Sequence, residues 1–228
     1  MKLSRDQLIV LSKKSISNAK TLIEEAELLF QNKHWARTVF LCHTAGEEFG
    51  KSIECMSATM DLARGVIDWN KFWKRFLNHR DKTKAIDAFE TFMLGDPDPL
   101  DVYFKKLNEK AKLLFQGRNA TLYTAMMTDG TVFEPSDVIT EQMANDSLSW
   151  AKGRLGLAEK IIIPVLDSKA MKASDEEVKK IYDNFTATMK DPKKREEFAA
   201  KLEDRLSAEQ DGHSLTGHWR LRKNQSRL

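Results

Sequence analysis

The stretch His43-Thr44-Ala45-Gly46-Glu47-Glu48-Phe49-Gly50-Lys51 decides how this chain is read. Around it, apolar or small residues recur at Trp35, Val39, Cys42, Gly46, Phe49, Ile53, Met56, Met60, Ala63 and Ile67. Those alternating steps of four and three trace one stripe along a long helix of bundle type. At about 100° per residue, His43, Glu47, Gly50, Lys51 and Glu54 fall on a flank beside the stripe. Gly46 and Gly50, one turn apart, remove side-chain bulk there, so another backbone can come close. A solvated face with Glu47–Lys51 and His43–Glu47 spacing pairs, each worth a few tenths of a kcal/mol, accounts for this flank. A polar site beside a packed seam is the alternative, and on this segment alone the solvated face is the favoured reading.

Working outward, residues 4–31 read as a first helix, with Leu8, Leu11, Ala19, Leu22, Ile23, Ala26, Leu29 and Phe30 on one side. Gln31-Asn32-Lys33 is a short polar corner, and the second helix runs to about Gly65. So tight a corner predicts an antiparallel helical hairpin. Residues 69–94 read as one further helix, in which Trp69, Phe72, Trp73 and Phe76 keep helical spacing and His79 extends the line. Arg75, Arg80, Lys82 and Lys84 flank it.

Gly95-Asp96-Pro97-Asp98-Pro99 is a loop, and Asp98-Pro99 opens a helix with Leu100, Tyr103, Leu107, Ala111 and Leu114 inward. The same steps continue to Arg118, Leu122 and Ala125. Arg118 thus points where Leu is expected. A buried guanidinium needs an acidic partner, since an unpaired one costs several kcal/mol. Glu47 or Glu48 is the nearest carboxylate if the two helices pack side by side. A local rule broken in this way is the kind of exception that marks a functional site, although a buried structural ion pair breaks it too.

Thr128-Asp129-Gly130-Thr131 is a turn. A helix then runs from Ser136 to about Ile162, with Leu148, Ala151, Leu155, Ala158 and Ile162 inward, and Pro164 ends it. Ser174-Asp175-Glu176-Glu177 is a capping box. The helix it opens carries Val178, Ile181, Tyr182, Phe185 and Met189, and Asp191-Pro192 opens another to about Gln210. The organisation predicted is all-α: an up-and-down bundle over 1–165 with an inserted helix at about 69–94, a helical extension over 166–210, and a flexible basic tail over 211–228.

Composition agrees with a helical globular protein: 41% hydrophobic, 31% charged, with 10 Gly and 5 Pro in 228 residues. The formal net charge is +3, and Arg220, Arg222, Lys223 and Arg227 set against Asp211 supply all of it. The body is formally neutral, so bulk charge gives it no pull on nucleic acid. The longest apolar run, Ile161-Ile162-Ile163, is far below a membrane span, and Met1 to Gln7 lacks the apolar core of a secretion signal. A cytoplasmic location without a membrane partner is expected. Cys42 and Cys55 lie about 20 Å apart along one helix, too far to bridge, and are expected as buried thiols. Metal and cofactor are expected to be none, because the Glu-x-x-His pairs of di-iron bundles do not occur.

The two-helix start, then Ala45-Gly46-Glu47-Glu48-Phe49-Gly50-Lys51, Trp69…Phe72…His79…Lys82, and Arg118-Asn119…Leu122-Tyr123…Asp129-Gly130…Pro135 together resemble the AbiV-type abortive-infection proteins of bacteria, of the HEPN superfamily. The resemblance covers about residues 5–165. It implies a dimerising four-helix bundle and a phage-defence role, in which a phage-encoded protein triggers a shutdown of gene expression at translation. Many HEPN proteins are metal-independent endoribonucleases, marked by an Arg, a polar residue, and a His four to six residues after the Arg. Arg118-Asn119 matches the start of that signature; Tyr123 stands where the His belongs. A phenol with pKa near 10 is a poor base at neutral pH.

By this resemblance Arg118 and Asn119 grip a phosphate, Glu47 positions Arg118, and Tyr123 with Lys51 completes the pocket. His79 or His43 supplies an imidazole, with Glu48 and Lys82 also contributing to binding. A non-catalytic module that associates with a phage protein or the translation apparatus is the other reading. RNA or the ribosome is the partner expected by the first.

Overall fold

The structure is a computed structural model describing residues 1–94, 108, 109, 112, 117–126, 129–191, 193, 194, 196–198, 200 and 201. Helix α1 spans Arg5–Gln31, opened by a capping box in which the Ser4 Oγ accepts from the Gln7 backbone N–H and the Gln7 side chain accepts from Ser4 N–H. The corner bends through Lys33 at φ 61°, and α2 runs Trp35–Ala63. Ser12 beside Ser52 at one end, and the Ala26 carbonyl beside the Thr38 hydroxyl at the other, fix the antiparallel register of the expected hairpin. Ile16, Ala19, Ile23 and Ala26 of α1 bury against Cys42, Ala45, Phe49 and Ile53 of α2.

The stretch read as one helix over 69–94 is two, α3 (Trp69–Leu77) and α4 (His79–Leu94). Asn78 adopts extended backbone at φ −84°, ψ 123°, and its Oδ1 accepts from the N–H groups of Arg80 (2.9 Å) and Asp81 (3.2 Å). An amide that satisfies the first donors of a new helix competes with continuing the old one. The two halves do different work. Helix α3 packs Phe72 and Phe76 on Leu8, Cys55 and Ala58, while α4 lies along α2 and contributes Ile86 to the main core.

Residues 117–120 are helical, and there the inward stripe ends: the Thr121 hydroxyl donates to the Arg118 carbonyl at 2.6 Å. Leu122 and Ala125, expected inward, lie on a turn and on strand β1 (Ala125–Met126), which pairs antiparallel with β2 (Val132–Phe133). Gly130 at φ 86° makes the turn between them. This small hairpin is the one departure from all-α structure among the described residues.

The helix expected from Ser136 to Ile162 is likewise divided. Helix α5 is Pro135–Val138; Ile139 and Thr140 break it, and the Thr140 hydroxyl caps α6 (Glu141–Leu157). A π-turn over Ala158–Ile162 then leads into α7 (Ile163–Asp167). Pro164 does not end the helix as expected, because the widened turn precedes it. An α register there would need the N–H that proline lacks and would press its ring on the Lys160 carbonyl.

Helices α8 (Lys169–Lys172) and α9 (Asp175–Lys190) follow, α9 opened by the expected Ser174–Glu177 capping box. Leu166 and Met171 join the main core, Arg64 lies 4.1 Å over the Tyr182 ring, and Arg5 pairs with Asp175 at 2.8 Å. Asp191 caps the backbone at Lys193 and Lys194. The greater part of the helix expected after Asp98-Pro99, the end of the helix expected to reach Gln210, and the basic tail lie outside the described residues. No helix among those described is long and apolar enough to cross a membrane.

Candidate functional site

Gly50 sets the distance between α2 and α4. A Cβ on it would lie 2.0 Å from the Lys82 carbonyl oxygen and 2.9 Å from the Lys82 Cα, closer than any side chain tolerates. The backbones therefore meet at this point, and the first turns of α4 hang directly over Glu47. That approach brings two nitrogen bases of α4 onto one carboxylate, which Arg118 meets from a second segment. Glu47 Oε2 lies 2.6 Å from His79 Nδ1 and 3.2 Å from Lys82 Nζ, and Oε1 lies 3.2 Å from Arg118 Nε. Glu47 and Lys82 are almost fully enclosed, Arg118 largely so, and His79 is half-exposed at the rim.

The chemistry of the cluster follows from the donors. A carboxylate only accepts, so the His79 Nδ1 carries the proton of the 2.6 Å bond, and in the neutral ring the lone pair is on Nε2. The Arg118 contact is ionic: its Nε is buried beside Glu47 but not aligned for a hydrogen bond, and the guanidinium lies 5.0 Å over the Phe40 ring. One carboxylate faces Arg118, Lys82 and the imidazole of His79. The two cations, Arg118 and Lys82, lie on the enclosed side of the carboxylate, and the His79 imidazole forms the open rim.

Of the residues singled out in the sequence, Arg118, Glu47, His79 and Lys82 come together. Lys51 does not join them: its ammonium bonds Glu48 at 2.6 Å and lies 5.7 Å over the Phe76 ring, so the expected Glu47–Lys51 pair is replaced by Glu48–Lys51. His43 faces α6, its ring 6.3 Å from that of Trp150. Burial lowers its pKa to about 4, helped by Arg154 and Arg118 and opposed by Glu47, so it is a neutral imidazole at pH 7. Asn119 and Tyr123 lie just past Arg118, in a separate shallow cleft with Ala120, Ala125 and Phe133. Tyr123 is 60% exposed.

The sequence model of the AbiV family of HEPN proteins matches residues 7–156. The chain belongs to the AbiV family. That range runs from the first helix to the last turn of α6 and takes in all four residues of the cluster. No curated protein and no solved structure matches this chain. Membership carries the abortive-infection, antiphage role for which the family is named.

This AbiV chain also holds a second charged network that the sequence reading missed. Arg154 of α6 is fully buried, its Nε 2.6 Å from Glu90 Oε1 and its Nη2 2.5 Å from Asp87 Oδ1 and 2.9 Å from Glu90 Oε2. Its guanidinium stacks 3.4 Å over Trp150, and Gly46 leaves room for both: a Cβ there would sit 3.3 Å from the Arg154 Nη1 and 3.5 Å from the Trp150 ring. The signal was present. Arg154 lies three residues after Ala151 and four before Ala158, on a stripe whose small members make room for a large one. The network fixes α4 against α6 and so supports the pose of His79 and Lys82. Near α3, Glu54 bonds Arg75 at 2.8 Å, yet burial still raises its pKa. No group of three or more His, Cys, Asp or Glu among the described residues is arranged to hold a metal.

Proposed function

We propose that this AbiV protein is a cytoplasmic antiphage effector that shuts down gene expression during infection by cutting RNA without a metal, as a homodimer released by a phage-encoded activator. The observation that supports this reading is the pairing of His79 Nδ1 and Arg118 Nε with the two oxygens of Glu47, at 2.6 and 3.2 Å. It supplies from α4 the imidazole that the HEPN signature has after the Arg and that Tyr123 does not provide. Arg118 and Lys82 hold the scissile phosphate. His79 Nε2 takes the 2′-hydroxyl proton, the freed oxygen attacks the adjacent phosphorus, and the P–O5′ bond breaks. A 2′,3′-cyclic phosphate and a 5′-hydroxyl result, the imidazolium returning its proton to the leaving oxygen. Glu47 holds the ring in the required tautomer and stabilises its charged form.

The test is incubation of single-stranded RNA with purified protein in excess chelator, with and without extract from infected cells. Fragments ending in cyclic phosphate are expected from the wild type. His79→Ala, Arg118→Ala and Glu47→Gln are expected to lose at least about 100-fold in rate, in the range of a removed acid–base or electrostatic group. Circular dichroism should stay unchanged for Arg118→Ala. A second reading, a non-catalytic module that binds a phage protein or the translation apparatus, is favoured by Tyr123 in the signature position. Absence of cleavage under every condition, together with co-purification of such a partner from infected cells, would establish it instead.

A further inference from the structure

Helices α1 and α3 leave between them an open groove of about 520 Å³, walled by Leu3, Val10 and Leu11 on one side and by Trp73 and Phe76 on the other. We propose that this groove is the docking site for the chain's own C-terminal tail, with Trp219 as the anchor that fills it.

Three observations carry the assignment. The first is that the groove is formed before anything enters it. The Trp73 Nε1–H donates to the Met1 carbonyl at 2.7 Å, and Phe76 packs with Phe72 on Leu8, so both walls are fixed. Val10 is nevertheless 57% exposed, an apolar side chain that the bundle does not cover.

The second is where the described chain ends and how much of it remains. Helix α9 departs from α1 at Asp175, which pairs with Arg5, the neighbour of the groove residue Asp6. The chain reverses at Asp191, and the Phe198 ring comes back to lie 6.0 Å from that of Phe185. The helical residues up to Lys201 therefore head back toward α1. From the level of Phe185 to Asp175 is ten residues of helix, about 15 Å. Trp219 lies eighteen residues past Lys201, a reach of about 27 Å if helical throughout and about 60 Å if extended. Either covers the distance.

The third is chemistry. From Asp211 onward the tail combines the apolar Leu215, Trp219 and Leu221 with the cations Arg220, Arg222, Lys223 and Arg227. The groove offers an apolar wall with an exposed carboxylate, Asp6, that has no cationic partner among the described residues. Lys14 lines the groove two turns further along α1 and repels a basic run. The cations accordingly lie toward Asp6, with the indole between Val10 and Trp73.

The test keeps the full chain and introduces Val10→Cys together with Lys223→Cys for bridging by a short bismaleimide; Cys42 and Cys55 are buried and do not compete. Intact mass should show one bridging linker per single chain. It should form at least about tenfold faster than with Glu24→Cys in place of Val10→Cys, a position about 21 Å further along α1. Trp219→Ala should remove that advantage and Trp219→Phe should keep most of it. In the chain without added cysteines, Val10→Asp should speed tryptic cutting after Arg220 and Arg222 about tenfold. Equal bridging from positions 10 and 24, or a bridging rate indifferent to Trp219→Ala, would show that the tail has no seat here and overturn the proposal. Equal tryptic rates would overturn it as well, and linkers that join two chains would assign the groove to a second copy instead.

Discussion

Gly50 on α2 lies against the carbonyl of Lys82 on α4 so closely that a single added carbon would sit 2.0 Å from that oxygen. Everything at the Glu47 cluster depends on this contact, because it sets how near α4 carries His79 and Lys82 to the carboxylate. Gly50→Ala is expected to force the helices apart, costing about 1–3 kcal/mol or more as an overpacked core substitution. Gly46→Ala meets only the Arg154 Nη1 at 3.3 Å and the Trp150 ring at 3.5 Å, so it should cost less. Urea unfolding of the two variants checks the order, and equal losses would contradict it.

Arg154 is enclosed with Asp87 and Glu90 and stacked on Trp150. Arg154→Met leaves buried carboxyl groups without their guanidinium, and about 3–5 kcal/mol of stability should go, the range for breaking a buried ion pair from one side. Arg154→Lys should rescue little, because an ammonium cannot make the forked contacts to Glu90 and Asp87 together. Thermal unfolding at neutral pH measures both.

His43 has a folded-state pKa of about 4, depressed first by burial and then by Arg154 and Arg118, with Glu47 opposing. An unfolded histidine titrates near pH 6.5, so between about pH 6.5 and 4 the unfolded chain binds the extra proton. Stability from this group is fully present above pH 6.5 and is lost as pH falls toward 4. The loss is on the order of 3 kcal/mol. His43→Gln should remove that part of the slope of unfolding free energy against pH. A slope unchanged in the variant would show that the titration belongs elsewhere.

Cys42 and Cys55 are fully buried and unpaired, and burial pushes both thiols up to about 12. Nucleophilic thiolate is scarce at pH 8, so iodoacetamide should leave the native protein unlabelled over hours and modify both residues in denaturant. Mass spectrometry of the intact chain reads the difference, and rapid native labelling of either residue would count against the buried assignment.

Period and capping chemistry, both local, are what the sequence by itself determined. They placed the α1–α2 hairpin between Ser4 and about Gly65, the Ser174 capping box, and Arg118 on an inward stripe. Family membership is legible for the same reason, since motif order is a property of the chain. Where helices stop was less legible, because Asn78, Thr140 and the π-turn before Pro164 each interrupt an unbroken apolar period with a local hydrogen-bonding alternative. Partner choice was decided only by the tertiary structure. Glu47 and Lys51 are one helical turn apart, and that spacing favours their pairing. The Gly50 contact instead brings Lys82 and His79 of α4 to Glu47, and Lys51 turns to Glu48 and Phe76. Spacing along one helix fixes which face a side chain shares; only the distance and register between helices fix which charge it meets.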